Sequence, residues 1–213
     1  MKFETIIEKF SGTPFFELEE VRQLSNESES QITNQLSQWT KQDKIVRLRR
    51  GKYLLGSQYR KFTPSSYYIS NYLYRPSYVS LETSLQYYDL IPEAVGLVQA
   101  VTPKHGREWS NDYDRFVYRS MKGARFWGYR EDRLESIPSQ NRFFIARPEK
   151  AILDLIYLNN GEWAKERIRE TSFQTLEILN YETLKMFSDK LQSPRQKRAT
   201  KRFIGLYEKE LEK

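Results

Sequence analysis

One stretch near the amino terminus changes its hydrophobic period halfway along, and this change restricts the possible folds more than any other feature. Ile32, Leu36 and Trp39 are spaced by four and then three residues, so they fall on one stripe of a helix. Residues 45–55 alternate instead, around a turn at Gly51 that can adopt a positive φ. We therefore predict a helix followed by a small β-hairpin.

Two short helices are predicted upstream of this pair of elements, over residues 3–10 and 17–24. Apolar residues recur at helical spacing in the first helix, and Gly12 and Pro14 follow it as residues that resist helix continuation. Three helices and then a hairpin is the order of a winged helix-turn-helix. We predict this DNA-binding fold for a first domain, residues 1–59.

The outer face of the predicted third helix carries hydrogen-bonding groups and no carboxylate. In a winged helix this face enters the major groove of DNA, and the hairpin lies against the phosphate backbone. The side chains predicted to face the groove are those of Ser30, Thr33, Asn34, Ser37, Gln38 and Lys41. The side chains predicted to contact phosphates are those of Arg47, Arg49, Arg50 and Lys52.

The charge distribution indicates an anionic partner. The chain has 35 Lys and Arg residues against 28 Asp and Glu residues, a net charge of +7. Between residues 28 and 61 the excess is stronger, with eight basic side chains against two acidic ones. Basicity alone distinguishes nucleic acid from acidic protein or anionic lipid only weakly, and a basic hairpin is also a common solvated surface. Duplex DNA is the partner that the predicted fold favours.

Residues 60–213 are predicted to form a second domain, a mixed sheet flanked by helices and followed by a helical carboxyl terminus. Short runs rich in β-branched and aromatic residues predict strands over residues 95–101, 115–119, 125–129 and 142–146. The predicted helices cover residues 65–73, 79–90, 148–158, 162–170, 173–179, 181–191 and 194–211. The predicted fold class is therefore α+β.

The last predicted helix contains a basic cluster, which consists of Arg195, Lys197, Arg198, Lys201 and Arg202. One interpretation is a second contact for nucleic acid or for an acidic partner. The other is an ordinary solvated helix face, which is the commoner origin of such a run.

Composition excludes several classes of site. There is no cysteine, so disulfides and thiolate metal sites are excluded, and the single His105 rules out a multi-histidine metal centre. No apolar run approaches the roughly 20 residues of a membrane span, which predicts a cytoplasmic protein without a membrane partner. The chain has neither a Glu-x-Lys motif nor a glycine-rich loop, so we predict no enzyme activity, no metal and no cofactor.

Three blocks of the second domain resemble the AbiE-type antitoxins, a family that is paired with nucleotidyltransferase-like toxins. They are RPSYVSLETSLQYYDLIPE at residues 75–93, FWGY at 126–129 and IARPEKAILDLIYL at 145–158, in the family's order. The family also begins with a winged helix, so the resemblance covers most of the chain. It implies a type IV toxin–antitoxin operon of phage defence, in which the protein represses its own promoter. It also implies paired or dimeric binding to inverted repeats and opposition to the toxin, by direct contact or only functionally.

Most residues of these blocks have a spacing suited to packing, which predicts a structural role. Glu82, Glu149 and Asp154 are the polar members that packing does not explain. Because Glu149 follows Pro148 in the first turn of a predicted helix, its carboxylate suits the helix dipole there.

Further classes of binding protein are also compatible with the sequence. Five tyrosines lie among basic residues and could stack on the bases of RNA or of a single strand, although their spacing also suits packing between helices. These are Tyr67, Tyr68, Tyr72, Tyr74 and Tyr78. A protein-interaction module without DNA affinity stays open too, as does a stand-alone regulator without an antitoxin role. Competition between duplex DNA and single-stranded RNA distinguishes the nucleic-acid classes.

Overall fold

The computed structural model describes residues 1–134 and 141–211, and its first module contains three helices and a three-stranded sheet. In chain order the elements are α1 (Phe3–Phe10), β1 (Phe16–Glu17), α2 (Leu18–Arg22), α3 (Glu29–Lys41), β2 (Ile45–Arg49) and β3 (Lys52–Leu55). Strand β3 lies in the middle of the sheet and pairs antiparallel with both β1 and β2. The predicted helices and hairpin are present, whereas the short strand β1 was not predicted.

Helix α3 has both an amino-terminal cap and an apolar stripe that faces the core. Ser28 and Gln31 make a capping box, in which the Ser28 backbone N–H donates to Gln31 Oε1 at 2.9 Å. Ile32, Leu36 and Trp39 are all buried against α1 and the small sheet. The stripe predicted from their spacing is confirmed.

The hairpin between β2 and β3 turns at Gly51, which has a φ of +76°. Its carbonyl oxygen accepts a hydrogen bond of 2.9 Å from the Leu18 backbone N–H, so the turn is fixed to the start of α2. Immediately after β3, the Gly56 backbone N–H donates to the Lys44 carbonyl at 2.7 Å. A Cβ at Gly56 would collide with the carbonyl oxygen of Asp43, so this close approach requires glycine.

The second module is built on a six-stranded sheet with the strand order β6-β7-β5-β4-β9-β8. Its strands are β4 (Tyr78–Val79), β5 (Val98–Thr102), β6 (Arg107–Ser110), β7 (Arg115–Ser120), β8 (Tyr129–Arg133) and β9 (Arg142–Ala146). Its helices are α4 (Ser66–Leu73), α5 (Leu81–Tyr87), α6 (Pro148–Leu158), α7 (Lys165–Glu170), α8 (Tyr181–Asp189) and α9 (Pro194–Leu211). Pairs β4–β9 and β5–β7 are parallel and the others antiparallel. The predicted α+β class with a mixed sheet is confirmed.

The sheet has a hydrophobic core on each face. Alternate residues of β4 point to opposite sides, so Tyr78 joins the core made with α5, α6 and the carboxyl-terminal helices, and Val79 joins the other core. That second core also contains Phe15, Leu48 and Leu54 of the first module. The hairpin is therefore packed directly on the sheet. The division into separate domains at residue 59 stays a prediction.

The strand predicted over residues 125–129 is wrong. A single 3₁₀ turn, Gly123–Arg125, occupies its start, and strand β8 begins only at Tyr129. Gly128 has a φ of +79°, and a Cβ built there would lie 3.0 Å from the Lys150 side chain. This bend against α6 prevents an extended chain before Tyr129.

Other boundaries also differ from the prediction. The helix predicted over 79–90 is shorter, because Tyr78–Val79 pairs as β4 in the sheet before α5 begins. The helix predicted over 173–179 is only the 3₁₀ turn Leu176–Ile178. The polar edge strand β6 was missed, since its mostly exposed side chains lack an alternating apolar pattern.

Candidate nucleic-acid interface

The outer face of α3 is fully available to a partner. All six side chains predicted to enter the major groove, Ser30, Thr33, Asn34, Ser37, Gln38 and Lys41, are exposed. The single carboxylate of this helix, Glu29, lies in its first turn and is 3.4 Å from the Arg22 guanidinium. Its negative charge is thus compensated next to the polar face.

The loop before α3 is held by hydrogen bonds that fix the helix start. The Glu27 carboxylate is paired with the amino terminus of Met1, and it accepts a hydrogen bond of 2.7 Å from Gln35 Nε2. Gln35 lies on the half-buried side of the helix, so this bond does not engage the exposed face. The start of α3 is therefore held in place while its polar face stays exposed.

Arg47 and Arg50 of the hairpin are exposed, and within the described part of the chain neither side chain makes an ion pair or a hydrogen bond. Both line a cleft of about 770 Å³, called the hairpin cleft here, together with Thr40, Arg107 and Trp109. One carboxylate, that of Asp112, also lines this cleft. The hairpin cleft joins the end of α3, the hairpin and strand β6.

Arg49 is held against the second module. Its Nη1 donates to the Leu73 carbonyl at 2.9 Å, and its guanidinium carbon lies 4.9 Å from the centroid of the Trp109 ring. The neighbouring Asn111 Nδ2 donates to the Leu48 carbonyl at 2.9 Å. These contacts fix the hairpin on the sheet, so Arg49 is less available to a phosphate than Arg47 or Arg50.

Lys52 is also engaged within the protein. It is ion-paired with Glu17, and its Nζ lies 4.1 Å from the centroid of the Tyr72 ring. The Tyr72 hydroxyl donates to Glu17 Oε1 at 2.9 Å. The hydrogen bond from Lys52 is the main cause that lowers the pKa of Glu17, with burial opposing it. Burial and the Glu17 carboxylate together raise the pKa of Tyr72.

Three basic residues of the second module extend the positive surface and were not predicted as site residues. Arg107 lines the hairpin cleft, and Arg75 and Lys104 line an adjoining cleft of about 310 Å³ beside Lys52. Lys104 lies in a stretch whose basic, turn-like character is visible in the sequence. The sequence does not indicate that this turn lies beside the hairpin, because that proximity depends on the pairing of β6.

The basic cluster of α9 is partly structural. Arg195 donates to four carbonyl groups at the end of α6 and just after it, including those of Ile156 and Tyr157 at 3.0 Å each. Arg202 donates to the Trp163 carbonyl at 3.2 Å and pairs with a carboxylate at 2.7 Å. The remaining members are exposed: Lys197, Arg198 and Lys201.

The tyrosines considered as base-stacking groups are engaged in ring packing. Tyr72 stacks on Phe15 with centroids 4.0 Å apart, and Tyr67 lies edge-on to Tyr87 at 5.7 Å. Tyr78 is fully buried. The Tyr72 contact joins α4 to the first module and the Tyr67 contact joins α4 to α5, which accounts for their spacing.

The polar members of the three blocks also have structural contacts. Asp154 is 1% exposed and is ion-paired with the buried Lys150. Asp154 Oδ2 accepts hydrogen bonds from Tyr78 Oη at 2.9 Å and from Ser80 Oγ at 2.8 Å. Burial, and then this carboxylate, raise the pKa of Tyr78 well above its usual value. This group therefore joins β4 to α6 inside the core.

Glu149 lies in the first turn of α6, as predicted, but its carboxylate also has a distant partner. Its Oε1 accepts a hydrogen bond of 2.7 Å from the Asn180 backbone N–H, where α8 begins. Glu82 lies in the first turn of α5 and is half-buried. Within the described ranges, no three His, Asp or Glu side chains form a group that could bind a metal ion.

No protein-family model matches the chain, and no curated protein is significantly similar to it. Among the helices in the described ranges, none combines the length and the apolar character needed to cross a bilayer.

Proposed function

We propose that the protein binds duplex DNA, with its first module acting as a winged helix-turn-helix and α3 as the recognition helix. The observation that carries this proposal is the hairpin cleft. Thr33, Ser37 and Thr40 are spaced by four and three residues along one edge of α3, and Thr40 lines the same cleft as Arg47 and Arg50. The carboxyl-terminal turn of α3 and the unpaired hairpin cations thus border a single depression, next to the polar face of the helix.

The roles of the four hairpin cations differ in this proposal. Arg47 and Arg50 would bind backbone phosphates, because they are exposed and have no acidic partner among the described residues. Arg49 and Lys52 would position the hairpin through their contacts with Leu73 and Glu17. They would add positive potential without approaching a phosphate as closely.

The helix face would read bases in the major groove. Asn34 and Gln38 are four residues apart on its outer side, and each can make a bidentate pair with adenine. Ser30, Ser37 and Thr33 can donate to or accept from base edges or phosphates. Because these side chains are short, the groove must come close to the helix, which the exposed face permits.

A duplex is favoured over single-stranded RNA by the state of the aromatic rings. Binding of single strands relies on rings that can stack on successive bases. Tyr67, Tyr72 and Tyr78 are packed against other rings of the protein, and Arg49 covers a face of Trp109. Around α3 and the hairpin cleft, the surface offers cations and short polar side chains more than it offers open rings.

A binding experiment with three nucleic acids tests this proposal. A duplex from upstream of the protein's own coding sequence, a scrambled duplex and a single-stranded RNA of equal length are compared by fluorescence anisotropy. We expect tightest binding to the upstream duplex, and the double variant Asn34→Ala/Gln38→Ala should lose that preference while keeping its affinity for the scrambled duplex. Equal or tighter binding to the RNA would contradict the proposal.

On the sequence resemblance, we further propose that the protein is an antitoxin that represses its own operon and counteracts a nucleotidyltransferase-like toxin. The test is genetic. If the adjacent gene encodes such a protein, its expression alone should arrest growth and co-expression of this chain should restore it. The variant Arg47→Gln/Arg50→Gln should lose repression. Growth rescue by a separately expressed copy of the chain tests the antitoxin role independently of DNA binding. Failure of rescue by the wild-type chain would leave a stand-alone regulator.

A further inference from the structure

A further pocket lies between α4 and the edge of the sheet at β8 and β9. Its volume is about 310 Å³, and aromatic rings of Tyr68, Phe126, Tyr129 and Phe144 line it. We call it the aromatic pocket. This volume is at the small end of the roughly 300–1,000 Å³ range of small-molecule sites.

The walls of the aromatic pocket are suited to a flat ring. Phe144 is 44% exposed, although it is a large apolar side chain on a strand. Its ring stands edge-on to that of Tyr129, with centroids 5.7 Å apart, and Tyr129 packs against Phe126 at 5.2 Å. An aromatic ligand that covered Phe144 would remove apolar area from water and stack on rings already held in place.

The pocket also contains a buried hydroxyl group without a partner. Ser77 is 6% exposed, and its Oγ has no hydrogen-bond partner among the described residues. Leaving a buried polar atom unsatisfied is unfavourable, and such atoms are uncommon in folded proteins. Because Ser77 lines the pocket, rotation of its side chain would bring this hydroxyl to a polar atom on the ring edge of a ligand.

Two guanidinium groups give the pocket a positive charge. Arg75 is exposed and lines both the aromatic pocket and the cleft beside Lys52. Arg142 is 61% exposed in its side chain and pairs with Glu131 at 2.7 Å through Nη1. The Glu131 carboxylate pairs with Arg142, whereas Arg75 makes no ion pair among the described residues, so an anionic ligand would be attracted to this guanidinium.

We propose that the aromatic pocket binds a small aromatic anion, namely one ring or two fused rings carrying a phosphate or carboxylate group. The ring would lie against Phe144 and Tyr129, with a polar edge atom near Ser77. The anionic group would lie at Arg75 and Arg142. None of the residues that line this pocket belongs to the proposed recognition helix, although Arg75 also lines the cleft beside Lys52.

Calorimetric titration of the full chain with two probes tests this proposal. Adenosine 5′-monophosphate supplies a ring with a phosphate, and indole-3-acetate supplies a ring with a carboxylate. We expect at least one of them to bind with a dissociation constant below about 1 mM. Adenosine, which lacks the phosphate, and inorganic phosphate, which lacks the ring, should bind about tenfold more weakly. The better probe identifies the anionic group. Failure of both probes, or equally tight binding of either half, would overturn the proposal.

Variants locate the binding at this pocket. Phe144→Ala and Arg142→Gln should each weaken binding of the better probe about tenfold, since each removes one stacking or one charge-assisted contact. The matched controls are Met186→Ala, which truncates another exposed apolar side chain, and Arg169→Gln, which removes an exposed guanidinium on α7. Both controls should bind like the wild type. Unchanged affinity in the two pocket variants would refute this location.

Discussion

The double variant Arg47→Gln/Arg50→Gln separates phosphate contacts from general basicity. Both side chains are exposed, and no ion pair or hydrogen bond of theirs is present in the described residues, so their loss should leave the fold intact. Arg49 remains bonded to Leu73, and the hairpin stays on the sheet. Any change in DNA affinity should then come from the removed charges.

The size of the effect follows from counterion release. Each phosphate neutralised on duplex DNA contributes about 0.9 to the slope of log affinity against log salt, so two lost contacts should reduce the slope by about 1.8. Between about 50 and about 200 mM salt, this reduction changes the ratio of wild-type to variant affinity by about twelvefold. The ratio should be largest at low salt.

Fluorescence anisotropy of a labelled duplex at several salt concentrations measures both slopes. The matched control is Arg133→Gln/Arg169→Gln, which removes the same charge from strand β8 and from helix α7. Strand β8 is at the sheet edge opposite β6, and neither Arg133 nor Arg169 lines the hairpin cleft. A control that lost as much slope as the Arg47/Arg50 variant would refute specific phosphate contacts, and so would an unchanged slope in that variant.

Three further predictions concern stability, and chemical unfolding with urea measures each of them. Asp154→Ala should lower the free energy of unfolding by about 3–5 kcal/mol, because it leaves the buried Lys150 without its ion partner. The double variant Lys150→Met/Asp154→Leu should recover part of this loss, since Tyr78 and Ser80 still lack their acceptor, and an equal loss in both variants would contradict the explanation. Gly56→Ala should lower the free energy of unfolding by about 1–3 kcal/mol, because the added Cβ would collide with the Asp43 carbonyl oxygen. An unchanged unfolding midpoint would contradict that close approach. Because the pKa of Glu17 is lowered from 4.5, its stabilising contribution is present above that value and is lost as the pH falls through the folded-state pKa. Lys52→Met should therefore lose less stability than the wild type between about pH 7 and about pH 3, and equal losses would show that this pair does not contribute.

The sequence predicts those elements whose local signals agree with their packing. Helix α3 combines a capping box at Ser28 with an apolar stripe, and both are present in the structure. Helix α6 begins at Pro148, as predicted, and buries its apolar residues. In both cases residues close in sequence determine the helix, so one window of sequence contains the necessary information.

The errors arise where partners distant in sequence determine the local structure. The chain before Tyr129 bends because Gly128 packs on Lys150, and Tyr78–Val79 is extended because β5 and β9 pair with it. Contacts with residues distant in sequence also determine which hairpin cations are free to bind a partner. Arg49 is engaged because Trp109 and Leu73 lie beside it, and no property of residues 47–52 distinguishes it from Arg50.

The attachment of the hairpin has a consequence for symmetry in DNA recognition. Leu48 and Leu54 share a core with the six-stranded sheet, and Phe15 stacks on Tyr72, so the module that carries α3 is packed against the body of the protein. If two copies bind an inverted repeat, the distance between their recognition helices is set by how the two bodies meet. Inserting one base pair between the half-sites would then rotate one recognition helix away from its groove by roughly a tenth of a turn. A flexibly tethered DNA-binding domain could reorient to correct this rotation, whereas a module packed on the sheet could not.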